Sequence, residues 1–291
     1  ENQSSFDEQI PIRHIGPLSV LKLLNADATY ENIHKAFREF LSQARAGKEM
    51  EDVVWFHFSG HGSEEYTAEE FLTLEPNGKD QTLVTYNEDP SSGQTHLADK
   101  EIAVLLYSLA NEKGEAPHIL FSLDCCHPGS ATRFPGFDMK TRQADVLPFL
   151  SRSEASRNQH LFRSLESYSG GFYRKQLEQA SLLEIPLVPH ILFSACESVQ
   201  LAGDTSEGGV FTQGLLKALR SSRNNLFYPD LYQRTRATVQ KIRPKHQSPT
   251  FETMGNFNSY RTFLNPMGAS TDGDRSIEST RFYELSIEQV T

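Results

Sequence analysis

Long apolar runs are missing from this sequence, and so are cysteine pairs at disulfide spacing and any excess of basic charge. No stretch approaches the roughly 20 apolar residues that cross a bilayer, so no membrane partner is expected. The 291 residues include three cysteines, two of them adjacent. That is a poor disulfide framework, and it fits a reducing, cytoplasmic setting. Lys and Arg number 28 against 38 Asp and Glu, a net charge of -10. Non-specific nucleic-acid binders present a basic face, so nucleic acid is not an expected partner. No signal peptide, internal repeat or long low-complexity tract is apparent.

What is present suits a globular chain: 37% hydrophobic and 23% charged residues, and length enough to bury the core of one large α/β domain. "LSVLKLL" (18–24) reads as a short buried strand. Thr29 is a candidate N-cap for a following helix, in which Ile33, Ala36, Phe37, Phe40, Leu41 and Ala44 recur at helical spacing before Gly47. "DVVWFHFSGHG" (52–62) has the continuous apolar character of a strand buried on both faces. Residues 63–97 read as a long polar excursion, and Asp99 as the cap of a helix ending near Gly114. "HILFSL" (118–123) and "VPHILFSAC" (188–196) read as two further buried strands. Between them, about 130–185 reads as a linker with one or two short helices. "GVFTQGLLKALRSS" and "PDLYQRTRATVQKIRP" are amphipathic helices, and "SPTFETMG" is a candidate edge strand. Residues 265–291 read as a flexible tail or the start of another module, with "RFYELSIEQV" a strand of something else. Strands alternating with helices predict a mainly parallel sheet with helices on both faces.

In open α/β sheets ligands sit beyond the carboxyl ends of the strands. Two predicted strands end there in reactive groups, "FHFSGHG" with His61 and "FSLDCCHPG" with Cys125, Cys126 and His127. A thiol is a fair nucleophile near neutral pH, and a nearby imidazole both lowers its pKa and can protonate a leaving amine. Gly62 and Gly129 would let the backbone turn and bring N–H groups towards a substrate carbonyl. Zinc fits poorly: no second Cys/His pair has structural-site spacing, and His57 and His61, four apart, lack the glutamate of H-E-x-x-H. Cys125 and Cys196 read as small core residues, and His127 as a packing or turn residue.

"FSGHG" followed 65 positions later by the cysteine of "DCCHPG" resembles the caspase–metacaspase clan of cysteine peptidases, nearest its prokaryotic metacaspase-like branch. "LNADATYENI", "LADKEIAVLL", "ILFSACESVQLAGD", "GVFTQGLLKAL" and "HQSPTFE" follow in the clan's order, so that the resemblance spans about 18–264, read as the peptidase domain. It implies a caspase-like sandwich fold and a cysteine endopeptidase with Cys126 as nucleophile and His61 as general acid/base. It also implies an oxyanion hole from the Gly62 and Cys126 N–H groups, and a substrate pocket lined by Asp124 and Ser59. A buried carboxylate favours a cationic partner, so the implied substrates are proteins or peptides cut after Arg or Lys. Asp204, Ser194 and Gln200 fall on the clan's second pocket-forming stretch. Arg133, Arg142, Arg152, Arg157, Arg163 and Arg174 read most simply as a solvated loop, and some of them as candidate self-cleavage sites.

Pro128 stands where the clan has serine. The clan's first strand and helix are expected before residue 18 and are not found there. No cofactor is required by these residues; calcium serves many relatives, and Asp80, Asp89 and Asp204 are available to it without a matching pattern. Prokaryotic relatives often act in stress, defence or programmed death with sensor or effector partners. Two alternatives use the same residues differently, a catalytically silent caspase-like scaffold and a peptide ligase.

Overall fold

The run VVWFHF has apolar residues on both of its alternating faces, and it builds the middle of a sheet covered on both sides. In the computed structural model, residues 17–47, 51–75, 78–87, 96–111, 113–125, 163–180, 182–197, 200–221, 226–263 and 280–289 are described. Five strands are parallel: β1 (Leu18–Leu24), β2 (Val53–Ser59), β6 (His118–Asp124), β7 (His190–Ser194) and β11 (Phe282–Glu288). The sixth, β10 (Thr250–Met254), runs antiparallel beside β7, and the order is β1-β11-β2-β6-β7-β10. SPTFETMG therefore does supply an edge strand.

Side-chain alternation divides the core in two. Val54, Phe56 and Phe58 of β2, with Ile119, Phe121 and Leu123 of β6, pack on one face against α1 (Tyr30–Glu39) and α2 (Asp99–Tyr107). Trp55, Leu120, Ile191 and Phe193 face the other way, towards α4 (Val210–Arg220) and α5 (Tyr228–Ile242). Thr29 caps α1 as predicted, its Oγ1 accepting the Asn32 N–H at 3.1 Å. The cap of α2 is Ala98, and Asp99 is the first helical residue.

Three expectations need correction. LSVLKLL forms a strand, but an edge strand with a single neighbour, so that Leu18, Val20 and Leu24 stay exposed while Leu23 is buried. The supposed polar excursion after β2 contains a three-stranded antiparallel sheet of β3 (Gly62–Tyr66), β4 (Lys79–Leu83) and β5 (Leu97–Ala98). Glu64 is paired within the sheet with Lys79, and the buried Asp80 is paired with Lys100 of α2. The largest correction concerns the C-terminal region: FYELSIE is no tail and belongs to no other module. It forms β11, an interior strand that pairs residue by residue with β1 on one side and β2 on the other.

Residues 163–180, placed in a linker by sequence, are also part of the packed structure. Short helical turns at Leu165–Gly170 lead into α3 (Phe172–Ala180). Tyr168 and Tyr173 are fully buried against Phe71 and Ala98. The remaining pieces are a two-stranded hairpin of β8 (Asp204–Thr205) and β9 (Gly208–Gly209) that leads directly into α4.

Candidate active site

The apolar runs of β2 and β6 both end in a polar residue, and the sheet register sets those residues side by side: Ser59 is opposite Asp124. The two residues expected to line a substrate pocket are thus neighbours across parallel strands, at the carboxyl ends of the strands, where ligands bind in such folds. After Ser59 the chain turns out of the large sheet. The Gly60 N–H donates to the Asp124 carbonyl at 3.3 Å. A Cβ on Gly60 would stand 2.9 Å from Phe58 Cζ, so glycine is needed here for space. His61 follows, half-buried, with its carbonyl accepting the Val84 N–H at 3.0 Å. Gly62 then opens β3 and is not among the glycines with positive φ. S-G-H-G is thus the junction between two sheets, with Gly62 in an ordinary negative-φ conformation.

On the neighbouring strand the described chain reaches Cys125, which is buried in the α1-side core. Cys126, His127, Pro128 and Gly129 lie outside the described residues. In the sequence, His61 and Cys126 each come two positions after a member of the Ser59–Asp124 pair. Cys196 is buried in the other core layer, as expected of a structural thiol.

Asp124 is fully buried. Its Oδ2 accepts the Thr212 N–H at 2.9 Å and the Thr212 Oγ1–H at 2.6 Å. Thr212 is in the first turn of α4, so that helix's unpaired N–H groups and the positive end of its dipole face the carboxylate. Asp124 therefore joins the end of β6 to the start of α4. Sequence reasoning missed both residues that make this possible, Thr212 and Gly209. A Cβ on Gly209 would fall 2.0 Å from Asp124 Oδ2. The available signal was the G-x-x-T spacing that opens GVFTQGLLKAL, legible only once an acid is known to face it.

Gly209→Ala is accordingly expected to cost about 1–3 kcal/mol, as overpacking does, because a short buried carboxylate has nowhere to move. At Gly203 an added Cβ would approach Arg243 Nη1 at 2.3 Å, but that is the far end of a long side chain. Gly203→Ala should therefore cost under about 1 kcal/mol. Parallel urea unfolding of the two variants tests the contrast, and equal losses would mean that Asp124 gives way freely.

The other candidates scatter. Asp204 sits opposite Gly209 in the β8–β9 hairpin, which brings it to the Asp124 side of the molecule, and its Oδ1 accepts the Thr205 N–H. Ser194 is buried at the end of β7. Gln200 is tied to Ser248, whose N–H it accepts at 2.5 Å. Asp80 is fully buried and bound by Lys100 Nζ at 2.5 Å and by the Tyr168 hydroxyl, so its carboxylate is committed to protein partners; Asp89 lies outside the described residues. Among the described residues no group of three or more His, Cys, Asp or Glu could hold a metal ion. His57 shares Ser122 Oγ with Trp55 Nε1, at 2.9 and 2.8 Å, within the sheet.

Two of the candidate self-cleavage arginines are described, and they differ. The Arg163 side chain is nearly fully buried, with Glu101 at 2.8 Å and Glu65 at 3.6 Å. Burial is the main cause that pushes the Glu65 carboxyl up to about 7. Arg163 also lies over the Tyr168 ring, and its backbone N–H donates to Tyr66. It is thereby withdrawn from any protease. Arg174 lies on α3, paired with Glu166 and Glu70. Arg133, Arg142, Arg152 and Arg157 lie outside the described residues.

A mainly parallel sheet with helices on both faces, and a histidine turn beside a cysteine-motif strand, defines the caspase-like class of α/β proteins. The chain belongs to peptidase family C14, described as the caspase domain, whose profile matches residues 19–260. Among solved structures it is similar in fold to protein GSU0716 from Geobacter sulfurreducens, with a TM-score of 0.51 and 18% identity over 82% of this chain and 93% of that one. No curated protein matches.

Proposed function

We propose that the protein is a cysteine endopeptidase that cuts after arginine or lysine, with Cys126 as nucleophile and His61 as acid and base. The observation that supports this reading is the register pairing of Ser59 with Asp124, the residues that stand two positions before His61 and Cys126 in the sequence. The Cys126 thiolate attacks the scissile carbonyl, with Gly62 and Cys126 N–H groups donating to the oxyanion. The C–N bond breaks as the His61 imidazolium gives its proton to the amine, leaving an acyl-enzyme. His61 then takes a proton from water, whose oxygen displaces the thiolate. The buried Asp124 carboxylate, oriented by Thr212, supports the basic preference, since a buried anion attracts a cation and repels an acidic side chain.

The test uses fluorogenic peptides ending in Arg, Lys or Asp, the wild type and Cys126→Ala, with and without calcium. Cleavage after Arg and Lys is expected, lost at least about 10³-fold in the variant. Cleavage after Asp would overturn the role of Asp124, and joined rather than hydrolysed products would identify a ligase. Mass spectrometry of incubated enzyme should place any self-cleavage at Arg133, Arg142, Arg152 or Arg157, leaving the bond after the buried Arg163 intact.

A further inference from the structure

The strand that fills the interior of the sheet also ends at the His61 turn. The last residue of β11, Glu288, is paired with Ser59, and the next residue reaches across to the small sheet. The Gln289 backbone N–H donates to the Ser59 carbonyl at 2.9 Å. Its side-chain Nε2 donates to the Val84 carbonyl, also at 2.9 Å. Val84 in turn donates its N–H to the His61 carbonyl. Gln289 Oε1 lies against Gly60, where an added Cβ would come within 3.3 Å of it.

His61 therefore stands between two limbs that belong to different sheets, and one residue joins them. Ser59 is the limb in the large sheet, and Val84 adjoins the limb formed by β3 and β4. The small sheet is also anchored further away, by Leu83 and Leu97 in the α1-side core and by the Tyr86 N–H on the Ala28 carbonyl, but Gln289 bonds the chain on both sides of the histidine itself. Catalytic groups tolerate little freedom, because misplacement by about 1 Å costs on the order of 10²-fold in rate.

We propose that Gln289 is a positioning residue for His61, holding the turn that carries it by bonds to Ser59 and Val84. This rests on the reading of His61 as the acid and base of a peptidase. It also extends the working part of the molecule past the family match, which ends at residue 260.

The test compares full-length Gln289→Met, Gln289→Glu, His61→Ala and wild type. Methionine keeps the length and the backbone N–H but donates nothing to Val84. Glutamate turns an acceptor towards the Val84 carbonyl. Four quantities are measured: kcat, KM, melting temperature, and the pH profile of iodoacetamide alkylation at Cys126, which reports thiolate paired with imidazolium. The expected result is a kcat about 10-fold lower for Gln289→Met and about 100-fold lower for Gln289→Glu, with KM within about 2-fold. The alkylation midpoint should move to higher pH while melting changes by only a few degrees. Unchanged kcat, or a fall in kcat that follows melting with an unmoved alkylation profile, would overturn the positioning role while His61→Ala remains inactive. If His61→Ala keeps its activity, the peptidase reading itself fails, and the role of Gln289 with it.

Discussion

Lys100→Met should lose about 3–5 kcal/mol of stability, the range found when one partner is removed from a buried ion pair. The ammonium is almost wholly enclosed. It lies 2.5 Å from Asp80, 3.1 Å from Glu75 and 3.4 Å from Asp99, with the Phe71 ring 5.3 Å away. Burial pulls its pKa down, but Asp99 and Asp80 more than offset this, so that it lies above the usual lysine value. Methionine fills the space and leaves the Asp80 carboxylate in the interior without its cation. The damage should spread, because Asp80 also accepts from Tyr168 and the Lys100 carbonyl accepts from Tyr173. These contacts dock α2, β4 and the residues before and within α3 on one another. Urea unfolding measures the loss, and Lys100→Met with Asp80→Asn should recover a large part of it. A loss under about 1 kcal/mol would mean that water reaches the pair, as in exposed salt bridges.

The second large effect is expected at Leu285. It lies in mid-strand on β11, fully buried, opposite Leu21 of β1 and Phe56 of β2. Truncation to alanine in a packed core costs about 2–5 kcal/mol. Aspartate adds an unpaired buried charge, and Leu285→Asp should show no cooperative unfolding transition at all. Glu288→Ala, on the exposed last position of the same strand, should stay within about 0.5 kcal/mol. Circular dichroism during heating separates the three variants. Wild-type melting of Leu285→Asp would mean that the sheet closes without this strand.

The same residue shows why part of the fold was hidden in the sequence. FYELSIE has the two-residue alternation of a strand, but Glu284 and Ser286 on one face suggest a surface position. Both are in fact buried. Nothing local distinguishes an edge strand from an interior one, because a strand's position depends on partners distant in sequence. Arg163 and Asp80 misled in the same way. A charged residue reads as solvated unless its partner is known, and their partners come from other elements of the structure.

Local information sufficed where the decisive interaction is local or repeats at a fixed period. Thr29 and α1, the buried runs of β2 and β6, and the amphipathic α4 and α5 all follow from neighbours a few residues apart. Tertiary structure alone decided which strand lies beside which, that Asp124 is held by Thr212 across 88 residues, and that Gln289 reaches Val84 across 205. Each of those choices is a bond between groups that the chain brings together only after the sheet has formed. Its worth comes from burial and geometry, which residue type and spacing do not carry.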